Sequence, residues 1–169
     1  MKTIIPSGGN DKFYTPDNYA KYLVEYLQPR GLILEPCRGK GAFTNAMPTA
    51  EWCEIDDGID FLQYSKSVDW IVTNPPYSKF RAFLQKSMTV AENIAFLCLI
   101  NAFFMKARLR DMFRYGFSFK EIIFLDTPKE FPQMGIQLGC VHIKKNYLGE
   151  CKFTDFRGKL ITEETNGHR

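Results

Sequence analysis

The chain has 169 residues, with 22 lysines and arginines against 19 aspartates and glutamates, a formal charge of +3. That length suits one domain with its own core, and a content of 45% hydrophobic and 24% charged residues excludes a disordered or polyacidic chain. The mild positive charge lends only weak support to a polyanionic partner, and the 15 phenylalanines are read first as bulky core.

Residues 6–13 (PSGGNDKF) read as a flexible lead-in. A helix then starts, with Thr15 as its cap and Pro16 at its first position. Tyr19, Tyr22, Leu23, Tyr26 and Leu27 recur at helical spacing until Pro29 and Gly31 stop it. Residues 32–35 form a short apolar strand, 36–41 a glycine-containing loop, and 42–47 a short helix closed by Pro48. A second strand is expected over 51–55 and a third over 68–73 (VDWIVT). Asn74-Pro75-Pro76 must end the third, because proline cannot continue a ladder. A helix over 79–92 gathers Phe80, Phe83, Leu84 and Met88 on one face. The unbroken apolar run 94–100 reads as a buried strand, 106–115 as a basic helix and 121–125 as a strand. The alternating segment 137–145 suits an edge or hairpin strand, and the polar stretch after Leu160 is expected to fray. The order predicts an α/β fold: a doubly wound, mostly parallel sheet with helices on both faces and a C-terminal antiparallel hairpin.

No apolar run approaches the about 20 residues of a membrane span, and MKTIIPSGGNDKF lacks a signal-peptide core. Cys37, Cys53, Cys98, Cys140 and Cys151 are odd in number and form no CxxC pair, so reduced thiols and a cytoplasmic location are expected. The histidines, His142 and His168, are isolated, so neither a zinc site nor a Ser–His–Asp triad is expected.

Three segments fall at the C-terminal ends of predicted strands, where open α/β sheets bind ligands. The first is Glu35-Pro36-Cys37-Arg38-Gly39-Lys40-Gly41, whose glycines let a backbone approach a ligand closely. It is neither GxGxxG nor a P-loop, and its carboxylate suits a cationic or amino-bearing ligand. The second is the acidic group Glu54, Asp56, Asp57 and Asp60, which could accept hydrogen bonds from ribose hydroxyls or form a solvated turn. The third is Asn74-Pro75-Pro76-Tyr77. Its two prolines fix a stiff, extended backbone, since Pro76 restricts Pro75. An amide and a carbonyl beside each other offer two acceptors to one planar amino group, and Tyr77 adds a π face.

With these segments in this order, the sequence resembles class I S-adenosylmethionine-dependent amino-methyltransferases, especially N6-adenine DNA methyltransferases. NPPY looks like their catalytic motif, EPCRGKG their D/E-P-x-x-G-x-G cofactor loop, WCEIDDGIDF their acidic-strand segment, and Phe13-Tyr14-Thr15-Pro16 their N-terminal cofactor motif. The resemblance spans about residues 13–145. It implies a Rossmann-like methyltransferase fold, S-adenosylmethionine as cofactor, no metal, and DNA as substrate with RNA also open. Glu35, Cys37, Gly39 and Gly41 would line the methionine end of the cofactor, and Tyr14, Thr15 and Pro16 would close over its carboxylate. Glu54, with Asp56 as competitor, would hold the ribose; Asp60 and Phe61 would meet the adenine. Asn74 and the Pro75 carbonyl, stiffened by Pro76, would accept from the substrate amine, with Tyr77 stacked on its ring. Phe131 would face the substrate base or belong to the core.

The interval from Glu54 to Asp60 is very short for the family, so a trimmed sheet is expected. Nothing after residue 145 is long enough for target recognition. The whole chain, 1–169, is then expected to be a single catalytic domain, with low specificity or a partner chain to supply it. The competing functions are a protein-glutamine or cytosine-N4 methyltransferase and a non-catalytic subunit of a methyltransferase complex. Lys106, Arg108, Arg110 and Arg114 on the predicted basic helix are candidates for phosphate contact or an ordinary charged face, as are Lys144, Lys145, Lys152, Arg157 and Lys159.

Overall fold

The apolar runs assemble into one seven-stranded sheet in a computed structural model that describes residues 13–129, 131 and 135–156. In chain order the elements are α1 (Asp17–Leu27), β1 (Ile33–Glu35), α2 (Ala42–Ala46), β2 (Glu51–Trp52), β3 (Val68–Thr73) and α3 (Phe80–Val90). There follow β4 (Ala91–Leu99), α4 (Lys106–Tyr115), β5 (Phe117–Leu125), β6 (Leu138–Lys145) and β7 (Lys152–Thr154). The sheet order is β2-β1-β3-β4-β6-β5-β7, and β6 alone runs antiparallel to its neighbours.

Alternation along the central strands feeds two cores, one on each face. Val72, Ala95, Leu97 and Ile123 face α1 and α2, meeting Ala20, Leu23 and Phe43. Ile71, Ile94, Phe96 and Val141 face α3 and α4, meeting Phe80, Leu84, Met88 and Met112. Phe80, Phe96 and Phe103 pack edge-on or tilted, with centroids 5.2–6.1 Å apart. With Phe61 and Phe83 these place five of the 15 phenylalanines in one buried core. The doubly wound, mostly parallel sheet with an antiparallel hairpin is the one expected.

The differences are local. Thr15 does not cap α1; Pro16 is the N-cap residue and makes no side-chain cap bond. The strand expected over 51–55 stops at Trp52, because the Glu54 side chain accepts from Asp56 N–H and turns the chain into a 3-10 turn at Ile55–Asp57. From there to β3 the chain has only a second 3-10 turn at Phe61–Gln63 and an isolated bridge, so β2 is a sheet edge and the sheet is trimmed as expected. The strand expected from 121 begins at Phe117, and a register shift between Phe119 and Glu121 breaks the alternation that would have shown it. Of the two readings of 137–145 the hairpin holds and the edge does not: β6 pairs antiparallel with β5 and lies between β4 and β5, with residues Leu138 to Ile143 buried. Three-residue β7 was not foreseen. The lead-in before Phe13 and the tail after Phe156, with Arg157 and Lys159, lie outside the described residues.

Among the described residues all five cysteines are free, and no helix is long and apolar enough to cross a membrane.

Candidate active site

Strands β1 and β3 are neighbours, yet the helices that follow them pack on opposite faces of the sheet. The cleft between their C-terminal ends is thus a topological switch point. A cavity of about 490 Å³ lies there. Three walls enclose it: the loop after β1, the turns after β2, and the Asn74 segment after β3, with residues 13–15 lying across as a strap.

The loop after β1 is built on left-handed glycines, Gly39 at φ 52° and Gly41 at φ 88°. That conformation is costly for residues with a Cβ. A Cβ on Gly39 would also stand 3.4 Å from the Tyr14 ring. Its N–H donates to Glu54 Oε2 at 2.7 Å, while Glu54 Oε1 accepts from Asp56 N–H at 3.3 Å. Glu54 therefore pins the loop to the turn after β2. Arg38 reinforces this, 3.7 Å from Asp57 and over the Trp52 ring at 4.4 Å. Asp60 caps the turn at Phe61–Gln63 through Leu62 N–H at 2.9 Å. Phe61 is 2% exposed and packs on Phe83 at 5.2 Å, forming an apolar floor. Ile55 and Ile59 are 60% and 42% exposed and line the same cavity.

On the β3 side, Asn74 is oriented by the strap. Its Nδ2 donates to the Phe13 carbonyl at 2.8 Å and to Thr15 Oγ1 at 3.2 Å. Both amide hydrogens are thus used, leaving Oδ1 as the acceptor that the residue brings to the cavity wall. Pro76 is extended at φ −62°, ψ 129°, and a 3-10 turn over Tyr77–Lys79 leads into α3. The Tyr77 ring lies 5.7 Å from that of Phe13.

Tyr14, Thr15, Cys37, Gly39, Glu54, Asp60, Phe61, Asn74, Pro75, Pro76 and Tyr77 all line this one cavity, as does Asp56. Pro16, Glu35, Gly41 and Phe131 are not on its wall. Pro16 and Gly41 stand at the N-terminal ends of α1 and α2. Phe131 is 2% exposed, belongs to the core on the α1 face, and packs on Phe13 of the strap at 6.0 Å. Glu35 is 1% exposed and sits behind the wall. Its Oε1 accepts from Cys37 N–H at 3.1 Å and from the Thr73 hydroxyl. Burial pushes its carboxyl up to about 8, against the pull of these two donors. Burial likewise pushes the Cys37 thiol up, so it stays protonated and is no nucleophile.

Three contributors were given no role of their own by the sequence, although Phe13 and Lys40 lie inside segments it singles out. Phe13 anchors Asn74 through its carbonyl and packs on Tyr77 through its ring. Lys40 Nζ lies 4.3 Å over the Tyr14 ring, holding the strap to the glycine loop. Thr73 bonds Glu35. Phe13 and Lys40 are marked in the sequence by lying within the motifs, Thr73 only by preceding Asn74.

No protein-family model matches the chain, and no curated protein matches it. Solved structures do resemble it. A protein from Pyrococcus horikoshii, provisionally described as an RNA methyltransferase, gives a TM-score of 0.62 at 17% identity, over 80% of this chain and 87% of its own. The M protein of the type I restriction enzyme EcoKI gives 0.62 at 14% identity, over 88% of this chain. The chain spans 49% of that protein. Magnesium protoporphyrin IX methyltransferase from Synechocystis PCC 6803, crystallised with S-adenosylmethionine bound, gives 0.54 at 10% identity, over 76% of this chain and 79% of its own. At these identities the likeness is one of architecture, and the chain has the Rossmann-like methyltransferase fold.

Proposed function

We propose that the chain is an S-adenosylmethionine-dependent methyltransferase that acts on an exocyclic amine, the N6 amine of adenine in DNA. The observation that carries this reading is the locked amide of Asn74, whose hydrogens are spent on the strap while its oxygen is left to the cavity beside Pro75 and Tyr77.

The cavity suits the cofactor. The backbone of Gly39 and Lys40 can approach its methionine end. Each Glu54 oxygen already takes one N–H and has capacity for a ribose hydroxyl. Phe61, Ile55 and Ile59 offer apolar surface to a planar ring, and Asp60 stands beside them. When bound, S-adenosylmethionine supplies a sulfonium-linked methyl group open to direct attack.

The protein's own part is positioning. Asn74 Oδ1 and the Pro75 carbonyl accept the two hydrogens of the substrate amine, which favours a lone pair on its nitrogen. Tyr77 stacks on the ring, and the two prolines keep the acceptors from relaxing away. A base inside a duplex must flip out to reach this depth. On α4, Lys106, Arg110 and Arg114 lie on the exposed side and suit phosphate contact. Arg108 does not join them: its guanidinium bonds the Ala102 carbonyl and lies 4.7 Å over the Phe80 ring. The likeness to the M protein of a type I restriction enzyme supports a DNA substrate and a partner chain for target recognition.

The test is transfer of labelled methyl groups to DNA, RNA, peptide and free nucleosides, with the product identified by mass spectrometry. N6-methyladenine in DNA supports the reading. Label on cytosine N4 or on a glutamine amide replaces the target and keeps the chemistry. Label on none of them, with the cofactor bound, points to a non-catalytic subunit.

A further inference from the structure

The ladder between β1 and β3 ends at Leu34 opposite Ile71. Beyond that rung each strand pairs only on its outer side, Glu35 with Trp52 of β2 and Thr73 with Phe96 of β4. The two loops that bound the cavity therefore rise from strand ends that the sheet no longer joins. A side chain crosses the gap: Glu35 Oε1 takes the Thr73 hydroxyl from one side and Cys37 N–H from the other. Thr73 precedes Asn74, and Cys37 is on the cavity wall.

We propose that Glu35 is a positioning residue, which fixes the spacing between the glycine loop and the Asn74 acceptor in place of the missing ladder rungs. The proposal rests on reading the cavity as the methyl-transfer site. Glu35 is buried behind the wall and acts through Thr73 and Cys37. The titratable groups around it are the Cys37 thiol, Glu54 and Cys53, none of them a cation. The acid is therefore held protonated at neutral pH, which agrees with the upward push from burial. A protonated carboxyl and a glutamine amide have the same shape and present the same Oε1 acceptor, so glutamine should replace Glu35 and leucine should not.

The test uses the full chain with Thr73→Val, Glu35→Gln and Glu35→Leu. It reads the backbone amide resonances of Cys37 and Asn74, and kcat and KM for methyl transfer at pH 7. Thr73→Val is expected to move the Cys37 amide, although the two residues sit on different strands. It should lower kcat about tenfold with KM for S-adenosylmethionine little changed, because small misplacements at a reacting centre are costly. Glu35→Leu should do both more strongly, and Glu35→Gln should keep the amide positions and most of kcat. A Cys37 amide unmoved by Thr73→Val overturns the proposal, as does a loss in Glu35→Gln equal to that in Glu35→Leu. An effect on KM alone overturns it too, since that marks a ligand contact. Should no variant, wild type included, transfer methyl groups, the reading of the cavity falls while the amide shifts still decide the positioning role. Thr73→Val and Glu35→Gln are near-isosteric, so the test does not depend on Glu35→Leu folding.

Discussion

The two ends of the sheet bury polar groups in opposite ways. At the C-terminal ends of β1 and β3, Glu35, Thr73 and Asn74 stand around or behind an open cavity. Toward the start of β4, His142 is equally buried but closed on itself. Its Nε2 meets Asn93 Oδ1 at 3.2 Å, Asn93 Nδ2 donates to the Asp69 carbonyl at 3.3 Å, and the Trp70 ring lies 4.8 Å away. Both ends shift a titratable group toward its neutral form by burial: Glu35 up to about 8, His142 down to about 3. A perturbed group is thus no mark of a site by itself. What separates the ends is whether the neighbouring polar atoms are used up by each other or left facing a space.

The largest expected effect tests the open end. Asn74→Ala should cut methyl transfer by about 10²–10³-fold, the scale of losing one transition-state hydrogen bond, with cofactor binding and thermal midpoint retained. Calorimetric titration and melting curves check this; lost binding would show that Asn74 acts by holding the strap. At the closed end, His142→Ala should cost about 2–4 kcal/mol of stability through a cavity and an unpaired Asn93, without changing kcat of the folded fraction. Denaturant unfolding alongside kinetics decides it.

The next effect is on pH dependence, and the two ends oppose each other. Glu35 is raised above its unfolded value of 4.5, so the stability tied to it is full below that pH and is lost as pH rises to about 8. His142 is lowered from 6.5, so its share is full above that pH and is lost as pH falls toward 3. Unfolding free energies of Glu35→Gln and His142→Gln, each subtracted from wild type across pH 4–9, should slope in opposite directions, by at most about 1.4 kcal/mol per pH unit.

A smaller change sharpens the role of the glycine loop. Gly39→Ala should cost about 1 kcal/mol for its left-handed backbone. Its new methyl would press on Tyr14 and weaken S-adenosylhomocysteine binding, which titration calorimetry reads. Least is expected of Lys106→Ala, Arg110→Ala and Arg114→Ala, each reducing by about one unit the slope of log affinity for an oligonucleotide against log salt.

The sequence shows the open end far better than the closed one. Proline and glycine punctuate strand ends whatever the tertiary context, so Gly39, Gly41 and Asn74-Pro75-Pro76 place the cavity walls before any packing is known. Helical spacing gave α1, α3 and α4 nearly to the residue. What stayed hidden depends on distant neighbours. The place of β6 inside the sheet follows from pairing with β4 and β5, which its own alternation cannot announce. The use of Thr15 as an acceptor for Asn74, and of Glu35 as a brace, spans separations of 59 and 38 residues. The Asn93–His142 pair spans 49 and has no motif to mark it.

The interior place of β6 also governs how the chain is made. Strand β4 is buried along most of its length and pairs with β3 on one side. Its other side waits for residues 138–145, which leave the ribosome only after α4 and β5. A nascent chain ending near Leu125 would carry two unfinished apolar edges, on β4 and β5, each a template for pairing with another copy. Sheet closure is therefore a late, non-local event, and truncation or stalling before β6 would leave edges that invite aggregation.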